Sequence, residues 1–316
     1  MANTLKVAMI GAGSMAPEHI KAFNAVDGVR VVGITNRTRA KAQALADAHG
    51  IEHVCDTVEE LFAETQADIA VMAVYEPAIL QTAKSVFAQD WTVLMEKPIG
   101  LNLAEAEDVA ALAKDRAKPV YVGLNRRTLG SSQAALRDLN DHGTSRYVHV
   151  QDQQSLETAR AIGHAENVVQ NWMFANSIHL VDYLLAFGRG EVTELTVLEP
   201  WDFDAPGRVV AHVRFESGDT GLYEAHWNAP GPWAVSVTTP ERRWEMRPLE
   251  SARFQNAGER SQNDVERPAL DVDYKPGFAL QARNVCAAVR GQDHAAVPVH
   301  EALRTTRLVA QIYGLA

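Results

Sequence analysis

The chain has 316 residues, 47% hydrophobic and 22% charged, with a formal net charge of -10, and no apolar run reaches the ~20 residues a membrane-spanning helix needs. That length favours two domains with separate cores over a small stapled fold, and the acidic balance argues against nucleic acid or an anionic membrane as partner. Cys55 and Cys286 lie far apart without metal-ligand spacing, and MANTLKVAMIGAG runs into a strand without a leader pattern, so the expectation is a cytoplasmic protein with no disulfide framework and no metal site.

From residue 5 to about 123, the apolar runs LKVAMI, VRVVGIT, ADIAVMAV, WTVLM and PVYVGL alternate with amphipathic stretches. This is the pattern of a parallel sheet covered by crossover helices. Thr57 with Glu60, and Asn102 with Glu105, have capping-box spacing at two helix starts. After residue 140, RYVHVQDQ, EVTELTVL, RVVAHVRF, TGLYEAHW and WAVSVTT follow one another with few helices between, and ESGDTG makes a hairpin turn. The second half is expected to hold a large, mostly antiparallel open sheet. Helical segments near 279–290 and 300–313 close the chain. The expected class is α/β, with one domain over 1–124 and a second α/β domain over 125–316.

The first strand leads into GAGSMA, with Gly11, Gly13, Ser14 and Met15 followed by Ala16, an accepted third position of the dinucleotide fingerprint, and then the helical EHIKAF. Glycines there permit a tight turn and close approach of the backbone to a pyrophosphate at the helix N-terminus. Strand, loop and helix in that order predict a Rossmann dinucleotide-binding domain. After the second strand, GITNRTRAKA lacks the acid that would bind a free ribose 2'-hydroxyl, and the next acid is Asp47. Arg37 and Arg39 suit a 2'-phosphate, with Thr35 or Asn36 adding hydrogen bonds, so NADP is expected in preference to NAD. Solvated arginines opening an exposed helix are the plainer reading of the same residues.

The strand WTVLM ends in Glu96, Lys97 and Pro98, at the sheet edge where open α/β folds bind ligands. GAGSMAPEH, MEKPIG, the NRR of Asn125, Arg126 and Arg127, and SIHLVDYL together resemble the glucose-fructose oxidoreductase and inositol dehydrogenase family, Gfo/Idh/MocA, through to HEALRTTRLVAQIYGLA. The resemblance implies a Rossmann domain, with Glu96 and Lys97 beside the cofactor, and a C-terminal α/β domain whose open sheet supports homodimers or homotetramers. It gives Lys97 a place by the nicotinamide and the substrate hydroxyl, with a cis peptide before Pro98. It also places an arginine of NRR, here assigned to Arg126, at the substrate pocket. An interdomain ion pair explains that arginine equally well. No tyrosine is followed by a lysine four residues later, against a short-chain dehydrogenase.

At 100° per residue, Trp172, Ala175, Asn176, His179, Asp182 and Tyr183 share one face of a helix otherwise apolar but for Ser177. A polar, aromatic face without long charges suits the wall of a cleft, although a lone histidine on such a helix is commonly an interior residue. The resemblance assigns His179 to proton transfer, a role its ordinary pKa permits. Relatives commonly carry Asp four residues before this histidine and Gly two before it, where this chain has Ala175 and Ser177. Asn171, Trp172, Asn176, Asp182 and Tyr183 are expected as substrate contacts, with Trp172 open to a packing role as well. The expected function is an NAD(P)-dependent oxidoreductase interconverting a secondary hydroxyl and a ketone on a sugar, polyol or derivative, anionic and nucleotide-linked sugars included. Two alternatives remain: glycoside cleavage by transient oxidation and elimination, and non-catalytic nucleotide or sugar sensing.

Overall fold

Strands that are apolar on both faces belong inside a sheet covered on both sides. In the computed structural model, which describes residues 4–141 and 143–316, such strands build a six-stranded parallel sheet. They are β1 (Leu5–Ile10), β2 (Val29–Thr35), β3 (His53–Cys55), β4 (Ile69–Met72), β5 (Thr92–Met95) and β6 (Val120–Val122). Their order is β3-β2-β1-β4-β5-β6, with every pair parallel. β3 has no signature in the sequence, because its three residues begin with a histidine and are too few to display a period. Both expected capping boxes form. Glu60 N donates to Thr57 Oγ1 at 3.0 Å while Asp56 N donates to Glu60 Oε2 at 2.8 Å. Glu105 N donates to Asn102 Oδ1, and Leu101 N to Glu105 Oε2, each at 3.0 Å.

The chain divides into two compact units, but not at a single boundary. Residues up to Asn125 form the first unit together with Asp273–Leu303, and Arg126–Val272 form the second with Arg304–Ala316. The physical cause is the helix Phe278–Val289, whose Phe278, Ala282, Val285 and Cys286 join a core cluster with Ala16, Ile20 and Phe23 of the helix Ala16–Asn24. Cys55 and Cys286 are both free and buried.

The second unit holds β7 (Tyr147–Gln154), β8 (Val192–Glu199), β9 (Arg208–Phe215), β10 (Thr220–Trp227), β11 (Ala234–Thr238), β12 (Arg242–Met246), β13 (Ala252–Asn256) and β14 (Asn263–Val265). They form an open sheet in the order β14-β13-β12-β11-β7-β10-β9-β8. β7 and β10 pair in parallel and all other neighbours antiparallel, so the mostly antiparallel expectation describes it. β12 to β14 escaped the sequence reading because their charged residues mask the alternation, although Trp244 and Met246 of β12 point inward.

Alternation gives β7 a buried face of Val148, Val150, Asp152 and Gln154, and β10 one of Gly221, Tyr223, Ala225 and Trp227. The helix Ile178–Phe187 packs on this face. Gly221 permits the close approach, since a Cβ there would stand 2.8 Å from Leu184 Cδ2. The helix is not regular from residue 171 onward, as the 100° periodicity assumed. A π-helical turn spans Met173–Ser177 before the α-helix begins. Its extra residue rotates Trp172 and Asn176 out of phase with the residues after it. Among the described residues, no helix is long and apolar enough to cross a membrane.

Replacing the Asn102 cap tests the local account: Asn102→Ala should lose about 1 kcal/mol. The expected readouts are a lower urea midpoint and faster amide hydrogen exchange in the helix Leu103–Lys114.

Candidate active site

In the first unit the site begins at the turn after β1. Gly11 has φ +105°, and a Cβ there would lie 2.2 Å from the carbonyl oxygen of Ala73. The turn is tied to β2 by Gly11 N donating to Thr35 O at 2.9 Å and Ala12 N donating to Asn36 Oδ1 at 3.2 Å. Asn36 also donates to Thr38 O at 3.0 Å, so its side chain shapes the loop. A cleft of about 690 Å³ opens beside this turn and is lined by Gly11, Gly13, Asn36, Arg37, Thr38 and Lys41 among others. A backbone cradle that a Cβ would fill, opening on a helix N-terminus, fits a dinucleotide phosphate. Arg37 lines this cleft. Arg39 does not serve there, because its guanidinium pairs with Asp56 and donates to Val54 O at 2.9 Å. Lys41, two residues on, lines the cleft instead. Ser14 is exposed and Met15 half-buried at the turn's end.

At the carboxyl end of β5, Glu96 is fixed from both sides. Its backbone N–H donates to Met72 O at 2.9 Å, and its carboxylate Oε1 lies 2.7 Å from His19 Nε2. His19 is only 2% exposed and tilts against the Phe278 ring at 4.7 Å. Burial drives the Glu96 carboxyl upward, but the hydrogen bond and charge of His19, with the charge of Lys97, outweigh it and leave the pKa lowered. The Lys97–Pro98 peptide is cis. At the end of β6 a Cβ on Gly123 would stand 3.4 Å from the Glu96 carboxyl and 3.2 Å from Gln281 Nε2. Glu96 is therefore a braced acid that holds the start of the Lys97 loop.

In the second unit, His179 is 6% exposed and its ring lies 6.4 Å from that of Trp233. The Arg126 guanidinium stands over the same indole at 5.8 Å, with Glu250 Oε1 at 3.9 Å. The indole thus gathers Arg126 and His179, which are 53 positions apart in the chain. Trp172 donates from Nε1 to Gln154 Oε1 at 3.0 Å, and Asn176 donates from Nδ2 to the same oxygen at 2.8 Å. Asn171 is half-buried and donates to Asn167 O at 2.9 Å.

Two of the expected substrate contacts are instead committed to protein partners. Asp182, 1% exposed, takes both Arg127 Nε and Arg127 Nη2 at 2.7 Å and the Thr305 hydroxyl at 2.7 Å. Tyr183, also 1% exposed, shares a hydrogen bond with the Ser132 hydroxyl at 2.9 Å and donates to Arg126 O at 3.2 Å. His179, Asp182 and Tyr183 still share a face of the α-helix Ile178–Phe187, and what sets the last two apart is that Arg127, Thr305 and Ser132 come from other segments to engage them.

The sequence reading missed His19, Gln154 and Trp233. His19 was visible one turn into the helix after the glycine loop, and Gln154 was a polar residue on the face of Val148 and Val150. Nothing local distinguished Trp233.

Residues 5–124 match the oxidoreductase family with an NAD-binding Rossmann fold. The chain is 26% identical over 136 residues to D-apiose dehydrogenase of Paraburkholderia graminis, covering 43% of this chain and 36% of that protein. It is 22% identical over 295 residues to 4-carboxy-2-hydroxymuconate-6-semialdehyde dehydrogenase of Sphingobium sp., covering 90% of each. In structure it resembles a dehydrogenase from Chromobacterium violaceum, with a TM-score of 0.84 at 18% identity, covering 98% of this chain and 94% of that one.

Breaking the Arg127–Asp182 pair from one side should strand a buried carboxylate. Arg127→Met is expected to cost about 3–5 kcal/mol. Chemical unfolding should also give the Arg127→Met/Asp182→Leu double variant a smaller loss than the single one.

Proposed function

We propose, for a chain that belongs to the Gfo/Idh/MocA family of oxidoreductases, that it is an NADP-preferring dehydrogenase interconverting a secondary hydroxyl and a ketone on a sugar, polyol or sugar derivative. The observation that carries this reading is the edge of the parallel sheet, where the glycine cradle at Gly11 and the braced Glu96–Lys97–cis-Pro98 loop follow β1 and β5. A bound nicotinamide would supply or accept the hydride. Lys97 would hydrogen-bond the reacting oxygen and hold or release its proton, its loop kept in place by Glu96 and His19. His179 is proposed as the second proton-handling group and Arg126 as a contact for an anionic substrate substituent. D-apiose dehydrogenase and inositol 2-dehydrogenase among the relatives favour a polyhydroxylated substrate. Arg37 and Lys41 in the cleft favour the 2'-phosphate of NADP. We further propose a cytoplasmic homodimer or homotetramer.

Screening sugars and polyols for a net change in reduced-cofactor absorbance tests the reaction. Aglycone release without net reduced cofactor would replace it with the glycoside-cleaving alternative. Lys97→Met should lower kcat by about 10²–10⁴-fold while leaving NADP affinity within a few-fold. Unchanged turnover would remove the assigned role. Arg37→Ala should bring NADP and NAD affinities together, and a wild type that prefers NAD would overturn the cofactor assignment.

A further inference from the structure

The polar end of β7 is sealed inside the second unit, where every donor and acceptor needs a partner. Asp152 is 0% and Gln154 2% exposed. Asp152 Oδ2 accepts from the Tyr223 hydroxyl at 2.7 Å, and Oδ1 accepts from Gln154 Nε2 at 2.6 Å. The other end of the Gln154 amide faces two donors, Trp172 Nε1 and Asn176 Nδ2.

This arrangement permits one orientation of each amide. An indole nitrogen only donates, so the atom of Gln154 that meets Trp172 must be oxygen. The nitrogen then falls against the carboxylate, which accepts. With Trp172 already donating to Gln154 Oε1, Asn176 can meet that oxygen only through its own nitrogen. Reversing the Asn176 amide would set oxygen against oxygen. Asn176 Oδ1 is therefore turned away from Gln154 on a half-buried residue whose neighbours Ala175 and Ser177 are buried, and among the described residues it receives no hydrogen bond from the protein.

We infer that Asn176 Oδ1 is a specificity-determining acceptor for a ligand hydroxyl, and that Gln154, anchored on Asp152, is the positioning residue that keeps the acceptor outward. The group recognised at this point is an O–H donor, so an ether, ketone or carboxylate oxygen in the same place is discriminated against. The ligand half of the inference rests on the dehydrogenase reading above, whereas the amide half stands on the second unit alone.

Two measurements on the full chain separate these halves. In side-chain amide NMR, the Asn176 NH2 protons should exchange slowly in the wild type. In Gln154→Met, which keeps the volume and removes the acceptor, exchange should be at least 10-fold faster. Equal exchange in both proteins overturns the positioning role whatever the substrate. For the ligand half, calorimetry on the NADP-loaded enzyme compares myo-inositol and D-apiose with their monodeoxy and mono-O-methyl derivatives, a readout that needs no turnover. At one hydroxyl, both derivatives should bind about 10-fold more weakly than the parent. That penalty should fall below about 2-fold in Asn176→Ala and in Gln154→Met. A penalty that survives Asn176→Ala, one seen with deoxy but not O-methyl derivatives, or no binding by either parent compound overturns the hydroxyl assignment. Failure to bind either parent while the amide result holds would count against the sugar reading and leave the positioning role standing.

Discussion

The loop after β1 passes the Ala73 carbonyl so closely that a Cβ at residue 11 would sit 2.2 Å from its oxygen. Much of the first unit's chemistry depends on that passage. The turn it permits lets the helix Ala16–Asn24 start beside the strand ends, and the same helix carries His19 to the Glu96 carboxylate at 2.7 Å. A bulkier residue 11 would displace both the backbone cradle and the helix bracing the Lys97 loop. The backbone cradle and the placement of the Lys97 loop are thus consequences of one steric constraint, transmitted along a helix.

The second unit is organised by buried polar groups. Asp152 and Gln154 interrupt the apolar face of β7, and Asp182 interrupts the helix packed on that sheet. Burial pushes the Asp152 carboxyl up to about 6 even though the hydrogen bonds from Tyr223 and Gln154 favour its ionised form. Such groups are tolerated because each has defined partners, and satisfying them restricts the arrangements the core can adopt. Asp182 fixes the helix through Arg127 and Thr305, while Gln154 fixes the π-helical turn through Trp172 and Asn176.

Periodicity and turn chemistry made the broad α/β architecture legible. LKVAMI and VRVVGIT form adjacent strands, both capping boxes close, and TGLYEAHW follows its hairpin turn. Legibility ended where long-range contacts decide the outcome. Nothing near residue 278 says that its helix will pack against Ala16 and Ile20, because that contact spans most of the chain. The π-helical turn was invisible for a related reason: a 100° wheel assumes the regularity that the turn breaks. Asp182 and Tyr183 looked like cleft residues because no helical wheel shows Arg127, Thr305 and Ser132 arriving from other segments to meet them. Gly11, Gly13 and Arg37 were readable from a local motif, whereas the gathering of Arg126 and His179 around Trp233 depends on three separate segments.

The helix Phe278–Val289 completes the core of the first unit although it is encoded after nearly all of the second. During synthesis, residues up to Asn125 therefore emerge with Ile20, Phe23 and the His19 ring lacking the side chains that later cover them. The sheet can assemble early, but its outer layer waits for the C-terminal part of the chain. A fragment cut at the apparent first boundary would carry a full set of parallel strands and an apolar wound along one helix. The chain's order of synthesis thus makes the nucleotide-binding unit the first to begin folding and among the last to be closed.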